Sequence, residues 1–485
     1  MTFDAVSQET GVGQEEGGSG AVGRSKMQRT DSKTQSESTF ECLAGAVGQA
    51  LTATGCYFTL SLAGERSQFI RFNQSKVRQT GQVQDAQLLL TLMADGRVVS
   101  AQVPFTGDFE ADWPLTNTLL STLQQDLPQC LPDPYWVLPK ALVSDSERIS
   151  REVYSGQLLP LADVASTILS PVCKADFVGF YAGGTSYRAY ADSAGTYRWF
   201  ETPAFTLDYS LFAGPEQAVK GTLAGRNWDE NIQGADYAQA IARCQEQLIC
   251  LTQPPKSISR GTYRTYLAPA ATADLMATIA AGGLGESALQ QGDSAFEKLA
   301  NRQVQLSEKF SLSEDFQRAG VPRFNERGEV AAARIPIIER GQWRQALVNS
   351  RSAKEYGKPA NAANRSEQMR APVVTPGQLR STDILSELDT GLYVSNLHYL
   401  NWSDLSAGRI TGMTRYACFW VEAGKIVAPI ENLRFDDSLY RFLGEGLIAL
   451  DETQRFVPAV DTYTRRSLGG IWTPGMLIDQ FRYTL

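Results

Sequence analysis

The sequence predicts an α+β protein, in which an N-terminal α/β region with antiparallel hairpins precedes a larger, mixed, β-rich C-terminal domain with helices. Three observations predict this class. Apolar residues recur at helical spacing in several stretches, other stretches alternate apolar and polar residues, and Asp95-Gly96 joins two alternating stretches as a tight turn would. Because 485 residues exceed one compact core, we expect a disordered tail over 1–38, an N-terminal α+β domain over 39–255 and a C-terminal domain over 256–485.

The N-terminal region shows its elements in order along the chain. Residues 1–38 are rich in Gly, Ser, Gln and Glu, with Phe3 as the only aromatic residue, so they bury too little apolar surface to offset the entropy lost on ordering. A proline-rich break near 128–145 divides the following domain into two units of helix plus hairpins. The predicted helices cover 40–51, 115–123, 161–169 and 237–251, and the predicted strands cover 58–62, 88–94, 97–103 and a meander over 177–212.

In the C-terminal region, the most informative stretch is a short helix followed by glycines. Leu275, Met276 and Ile279 recur at helical spacing behind Pro269, and a glycine run from Gly282 ends the pattern, which predicts a buried helix. No residue after Asp274 in this helix ionises, so its end offers neither a metal ligand nor a general base. A second helix is predicted over 436–447.

Composition limits the possible partners and the compartment. The chain carries 45 Lys and Arg against 53 Asp and Glu, a net charge of −8, which argues against direct binding of nucleic acid. No run approaches the roughly 18 consecutive apolar residues of a membrane span, and the N-terminus lacks the pattern of a secretory signal. We therefore expect a cytoplasmic protein without a membrane partner. The 7 cysteines include no C-x-x-C pair, which favours reduced, structural thiols.

Few side chains could carry out chemistry. His398 is the only histidine, so this chain alone cannot form a two-histidine zinc site; it is either a general base or a packed or capping residue. Ser287 lies in a sequence that faintly resembles a nucleophile elbow, but Leu289 replaces the last glycine, and a polar residue at a helix exit is the alternative. Cys418 lies in an apolar strand, where a thiol is normally inert.

The stretch 269–296 resembles the metal-binding helix of the TldD/PmbA family. Active members of that family carry His-Glu-x-x-x-His-Gly-Leu-Glu-Gly-Asp and then Gly-Thr-Ser-x-Phe, and the register is fixed here by Leu284 and by the run 292–296. The resemblance places the two ligand histidines at Ala277 and Gly282, and the general base at Thr278. It therefore implies a PmbA/TldD-like fold, and a member of the PmbA/TldE-type branch with no metal, no cofactor and no catalytic residue of its own.

Two further segments support the resemblance. Residues 315–365 are similar to a family segment that contains Phe-Asp-x-Glu-Gly, although Asn325 and Arg327 replace its acidic residues, and residues 391–429 are similar to the longest family signature. The resemblance also implies a peptide-binding role near a shared chamber. The residues assigned to it are Asn361, Asn364, Arg365 and Asn396, the alternative being solvated residues that cap the backbone.

The sequence leaves three functions open. The first is a non-catalytic subunit of a TldD-type metallopeptidase, forming a homodimer or a heterodimer with a TldD-like catalytic subunit and binding peptide or unfolded protein. The second is a homodimeric peptide-binding or scaffold protein without a proteolytic role. The third is a metal-free hydrolase that uses Ser287 or His398.

Overall fold

The computed structural model of the chain describes residues 32–142, 144–173, 175–214, 217–229, 233–318 and 320–484. The predicted disordered tail over 1–38 lies, up to residue 31, outside the described residues. Residues 35–38 are helical, and the hydroxyl of Thr34 caps the helix by accepting a hydrogen bond from the Glu37 backbone N–H. The Glu37 carboxylate is buried and lies 2.8 Å from the Arg151 guanidinium. Apolar periodicity gave no sign of this first turn because ionic and polar contacts bury it.

The helices of the N-terminal region pack on one sheet. The helices are α1 (Gln35–Leu51), α2 (Phe109–Asp126), α3 (Asp145–Arg148), α4 (Leu161–Leu169) and α5 (Gln233–Leu251), with a 3-10 turn at Leu127–Gln129. The strands are β1 (Tyr57–Asn73), β2 (Lys76–Ala94), β3 (Arg97–Pro104), β4 (Ile149–Val153), β5 (Asp176–Asp192), β6 (Tyr197–Phe212) and β7 (Ala218–Gly225). Among the described residues they form a 7-stranded sheet in the order β3-β2-β1-β5-β6-β4, with β7 also paired to β6. Strands from both sides of the 128–145 stretch therefore share one sheet.

Tight turns set the register of the first hairpins. Asp95 and Gly96 both have positive φ, 50° and 71°, as the predicted two-residue hairpin requires. Another hairpin joins β1 to β2 through Gln74 and Ser75, both at φ 52°. The core of the sheet follows from the alternation of its strands: Leu60 and Leu62 of β1 pack beneath α1 and α2, whereas Ile70 packs in a second cluster with α4 and α5.

The described residues of the C-terminal region form two sheets. Its strands are β8 (Gly261–Leu267), β9 (Leu312–Asp315), β10 (Arg334–Glu339), β11 (Gln342–Trp343), β12 (Pro372–Val374), β13 (Gly391–Asp404), β14 (Arg409–Glu422), β15 (Lys425–Pro429), β16 (Arg434–Ser438), β17 (Leu447–Leu450), β18 (Arg455–Pro458), β19 (Gly470–Thr473) and β20 (Met476–Tyr483). One sheet has the order β11-β10-β9-β12-β19-β18. In the other, β13-β8-β20-β16-β14 closes on itself because β14 also pairs with β13. Closure leaves fewer exposed strand edges.

The helices of this region are short. They are α6 (Pro269–Ala281), α7 (Glu286–Gln291), α8 (Glu297–Ala300), α9 (Ser350–Tyr356), α10 (Ile384–Leu388) and α11 (Leu439–Phe442), with a 3-10 turn at Ser381–Asp383. The helix predicted behind Pro269 is confirmed as α6, and it buries Leu275, Met276 and Ile279 in the largest hydrophobic cluster. The α+β prediction is likewise confirmed.

The helix predicted over 436–447 is wrong. Residues up to Ser438 continue β16, which pairs with β14, and only 439–442 are helical. The helix ends at Phe442, and the chain then turns so tightly at Gly444 that a Cβ there would lie 2.1 Å from the carbonyl oxygen of Tyr440. Pairing with a strand that is distant in sequence therefore overrides the local apolar spacing.

None of the helices in the described part of the chain combines the length and the apolar character that crossing a lipid bilayer demands.

Candidate functional site

The solvent-facing side of α6 is chemically inert at the positions that the resemblance assigns to metal binding. Ala277 is exposed and offers only a methyl group. Thr278 is half-buried, and its hydroxyl donates back to the carbonyl oxygen of Asp274 at 3.3 Å. Gly282 follows the last helical residue and has no side chain. None of these three residues supplies the imidazole nitrogen, thiolate or carboxylate that zinc requires.

A tryptophan from β13 occupies the space beside Gly282. A Cβ built on Gly282 would lie 2.5 Å from Nε1 and 3.0 Å from Cε2 of Trp402, and 3.2 Å from the carbonyl oxygen of Thr278. Atoms at that separation overlap, so the indole ring would have to move before any side chain could stand there. The residues present therefore do not fit a zinc ion of the family type. They offer no donor atoms of the kind that zinc requires, and the indole ring occupies the space that a ligand side chain at residue 282 would need.

A loop over residues 361–369, called here the site loop, covers the carboxyl end of α6. The backbone N–H of Met369 donates to the carbonyl oxygen of Ala280 at 3.2 Å, and the Gln368 side chain donates to that of Ala281 at 3.3 Å. These donors satisfy carbonyl groups that the last turn of a helix leaves without partners. The site loop is thereby fixed against the end of the helix.

Two of the four predicted peptide-binding residues shape the site loop. The side-chain oxygen of Asn361 accepts from the backbone N–H of Val348 at 2.8 Å, and its amide donates to the carbonyl oxygen of Ala346 at 2.7 Å. The side-chain oxygen of Asn364 accepts from the backbone N–H of Gln368 at 2.9 Å. These contacts correspond to the backbone-capping alternative, and they commit both side chains to the fold.

The other two predicted residues present their side chains differently. Arg365 is exposed, and its backbone N–H donates to the Glu326 carboxylate. Asn396 is half-buried on β13, opposite Arg415 of β14. Within the described ranges, the side chains of Arg365 and Asn396 form no hydrogen bond. They are the members of the predicted set whose polar groups remain available at the surface beside α6.

Asp274 is a carboxyl group of this region whose pKa is raised. It lies on α6 and accepts a hydrogen bond at 2.9 Å from the backbone N–H of Leu397 on β13. Burial raises the pKa of Asp274 to about 6, against the opposing effects of that hydrogen bond and of the Lys220 charge. A carboxyl with such a pKa can exchange a proton near neutral pH. The sequence marked Asp274 as the last ionisable group of the helix but gave no sign of its burial.

His398 is not the packed residue that one interpretation predicted. It is exposed on β13, and its ring centroid lies 4.0 Å from that of Tyr399, whose φ is 53° at a break in the β13–β14 register. Partial desolvation lowers the pKa of His398, and the charges of Arg415 and Lys220 lower it further. The imidazole is therefore mostly neutral at pH 7.

Ser287 and Glu367 form a structural contact. Ser287 lies in the first turn of α7, not at a helix exit, and both its backbone N–H and its hydroxyl donate to Oε2 of Glu367, at 2.8 and 2.7 Å. The other oxygen of this buried carboxylate accepts from the backbone N–H of Asn349 at 3.0 Å. Glu367 thus caps the first turn of α7 and joins it to the start of α9. Sequence reasoning missed this role because the partners are distant along the chain.

The remaining candidates do not add a metal centre. Cys418 is buried, and burial raises the pKa of its thiol to about 11, which agrees with the inert interpretation. In the final segment, the backbone N–H of Gly475 donates to the Asp451 carboxylate at 2.9 Å. Across the residues that the structure describes, no group of three or more His, Cys, Asp or Glu side chains is arranged to hold a metal ion.

Comparison with known families decides the affiliation of this region. Residues 260–484 match the family model described as "PmbA/TldA metallopeptidase C-terminal domain". Residues 260–484 therefore form a C-terminal domain of the PmbA/TldD family. A search of curated proteins gives no significant match. The family resemblance seen in the sequence is therefore confirmed.

Solved structures extend the PmbA/TldD fold to nearly the whole chain, since each of three covers 92% of it. A candidate modulator of DNA gyrase from Thermotoga maritima has a TM-score of 0.73 at 13% identity and is covered over 100% of its length. TldE from Thermococcus kodakarensis has a TM-score of 0.68 at 15% identity and is also covered over 100%. A candidate modulator of DNA gyrase from Bacteroides thetaiotaomicron has a TM-score of 0.72 at 16% identity and is covered over 98%. At these identities the likeness establishes the fold.

Proposed function

We propose that this chain is a non-catalytic, PmbA/TldE-type subunit of a TldD-type metallopeptidase system. The observation that carries the proposal is the end of α6, where Ala277, Thr278 and Gly282 stand at the positions of the ligands and base, and Trp402 fills the adjoining space. A catalytic zinc needs three protein ligands and an open position for water, whose pKa it lowers. Without a donor set, this chain depends on another subunit for hydrolysis.

In this proposal the chain contributes binding surface instead of chemistry. Its partner is a TldD-like catalytic subunit, and the substrate is a peptide or an unfolded polypeptide. Arg365 and Asn396 supply polar contacts to that substrate from the site loop and from β13, while Asn361 and Asn364 keep the site loop in shape. The side chains of Arg365 and Asn396, which form no hydrogen bond among the described residues, lie near a helix without metal donors. This supports a chain that binds substrate while its partner catalyses hydrolysis.

The test measures metal content and hydrolysis separately. We expect the purified chain to contain far less than one zinc per molecule by elemental mass spectrometry, and to cleave fluorescein-labelled casein only when mixed with a TldD-like relative whose His-Glu-x-x-x-His motif is intact. The matched control is that relative with its glutamate replaced by glutamine, which should abolish cleavage by the mixture. Cleavage by the isolated chain, or one tightly bound zinc held at α6, overturns the proposal.

A second function keeps the binding surface but not the proteolytic partner. The availability of Arg365 and Asn396 beside α6 also fits a homodimeric peptide-binding or scaffold protein. Isolation of the chain from its native cells separates the two, because a TldD-like subunit should copurify only under the first proposal. The metal-free hydrolase is disfavoured, since Glu367 accepts both donors of Ser287 and His398 lies on a different element.

A further inference from the structure

A loop over residues 325–329, called here the relay loop, lies between the N-terminal sheet and the site loop. From the side of the sheet, the hydroxyl of Ser61 donates to the carbonyl oxygen of Glu326 at 2.9 Å, and Nε of the buried Arg198 donates to that of Gly328 at 3.2 Å. A Cβ on Gly328 would lie 2.3 Å from the ring of Tyr190. Three strands of the sheet therefore hold the relay loop in place.

Asn325 joins the relay loop to the site loop. Its side chain is buried, and its oxygen accepts from the backbone N–H groups of Arg327 and Glu329 at 2.9 and 3.1 Å. Its amide donates to the Glu329 carboxylate and to the carbonyl oxygen of Ala363 in the site loop, both at 2.8 Å. One side chain thus closes the relay loop on itself and holds the neighbouring loop. Only an amide can accept and donate in this way, because a carboxylate has no donor.

Neighbouring residues add to this connection. The Glu326 carboxylate accepts from the backbone N–H of Arg365, so two successive relay-loop residues hold two residues of the site loop. The Arg327 guanidinium donates to the hydroxyl of Ser350 on α9 at 2.8 Å and lies 4.2 Å from the ring centroid of Trp136. The relay loop therefore contacts the N-terminal sheet, the proline-rich segment, α9 and the site loop together.

We propose that the relay loop transmits the position of the N-terminal sheet to the site loop, with Asn325 as its positioning residue. This inference rests on the proposed function, because it assigns the site loop a role in binding polypeptide. Arg365 can face a substrate only if the backbone around Ala363 is held, and the hydrogen bond from Asn325 holds it. The N-terminal sheet thereby sets the geometry of a binding surface that belongs to the other half of the chain.

The decisive variant is Asn325→Asp in the full chain. It keeps the size of the side chain and both acceptor contacts, but it turns an oxygen towards the Glu329 carboxylate and the Ala363 carbonyl, which are both acceptors. We expect amide hydrogen exchange across 361–369 to become roughly ten- to a hundred-fold faster, the equivalent of losing one buried hydrogen bond. Asn301→Asp, at an exposed position, adds the same charge and should leave this exchange unchanged.

Two further variants distinguish the loss of contacts between the relay loop and the site loop from charge repulsion around residue 325. The double variant Asn325→Asp/Glu329→Gln relieves the charge repulsion but does not restore the hydrogen-bond donor to the Ala363 carbonyl. Amide hydrogen exchange in the site loop should therefore stay fast. Glu326→Ala changes an exposed residue and removes its contact with the Arg365 backbone N–H, so it should speed exchange at Arg365 even if the Asn325 variant fails to fold. Wild-type exchange in 361–369 for the double variant or for Glu326→Ala overturns the relay.

Binding of fluorescein-labelled casein tells the two proposals apart. If the wild-type chain binds casein, Asn325→Asp should weaken that binding at least several-fold. The control Asn301→Asp should keep both the wild-type affinity for casein and the wild-type thermal midpoint. If the wild-type chain binds no casein, the proposed peptide-binding function fails, whereas the exchange measurements still decide whether Asn325 positions the site loop. Unchanged exchange together with unchanged binding in Asn325→Asp overturns the inference.

Discussion

Replacing Asp274 with asparagine should stabilise the protein at neutral pH and leave its stability unchanged in acid. Burial raises the pKa of this carboxyl from its ordinary value of 3.8 to about 6, so the folded state binds the proton more tightly than the unfolded state does. The free energy of unfolding therefore falls as pH rises between about 4 and 6, and it stays lower above that window. The introduced asparagine would be neutral throughout and could still accept the hydrogen bond from Leu397.

The size of the effect follows from the same pKa difference. A rise from 3.8 to about 6, at 1.36 kcal/mol per pKa unit, corresponds to at most about 3 kcal/mol. Urea unfolding of the wild type and Asp274→Asn at pH 4, 6 and 8 measures it, with Asp479→Asn at an exposed position as the control. We expect the gain to be near zero at pH 4 and largest at pH 8. A gain that does not depend on pH, or a loss at pH 8, would refute the reasoning about burial.

Two further substitutions test nonlocal contacts by urea unfolding at pH 7. Glu367→Gln puts an amide where the donors of Ser287 converge, so we expect a loss of about 1 to 3 kcal/mol; an unchanged midpoint would remove Glu367 from its capping role. Arg466→Ala leaves the buried Glu65 carboxylate without its partner at 3.1 Å and should cost on the order of 3 to 5 kcal/mol. The exposed Arg340→Ala is its control, at less than about 1 kcal/mol, and equal losses would contradict the argument.

Gly282 and Trp402 show what the sequence reveals about this position and what only the tertiary structure reveals. The family resemblance assigns a ligand position to Gly282, and a glycine has no side-chain donor. It does not show that an indole 120 positions away fills the same space. Chemical capacity belongs to the residue type, whereas steric access depends on which distant segments the fold brings together.

The sequence by itself determined those features of the protein that depend on local interactions. The helix behind Pro269, the hairpin at Asp95-Gly96 and the lack of metal donors at Ala277 and Thr278 all follow from residue types and short spacings, because propensity, turn conformation and ligand chemistry act within a few residues.

Tertiary structure decided the rest. The strand ending at Ser438, the carboxylate of Glu367 and the amide of Asn325 depend on partners dozens of residues away. The raised pKa of Asp274 depends on burial beneath segments from elsewhere in the chain. Pairing, burial and hydrogen bonding between distant segments are properties of the packed chain, and no local pattern encodes which segments will meet.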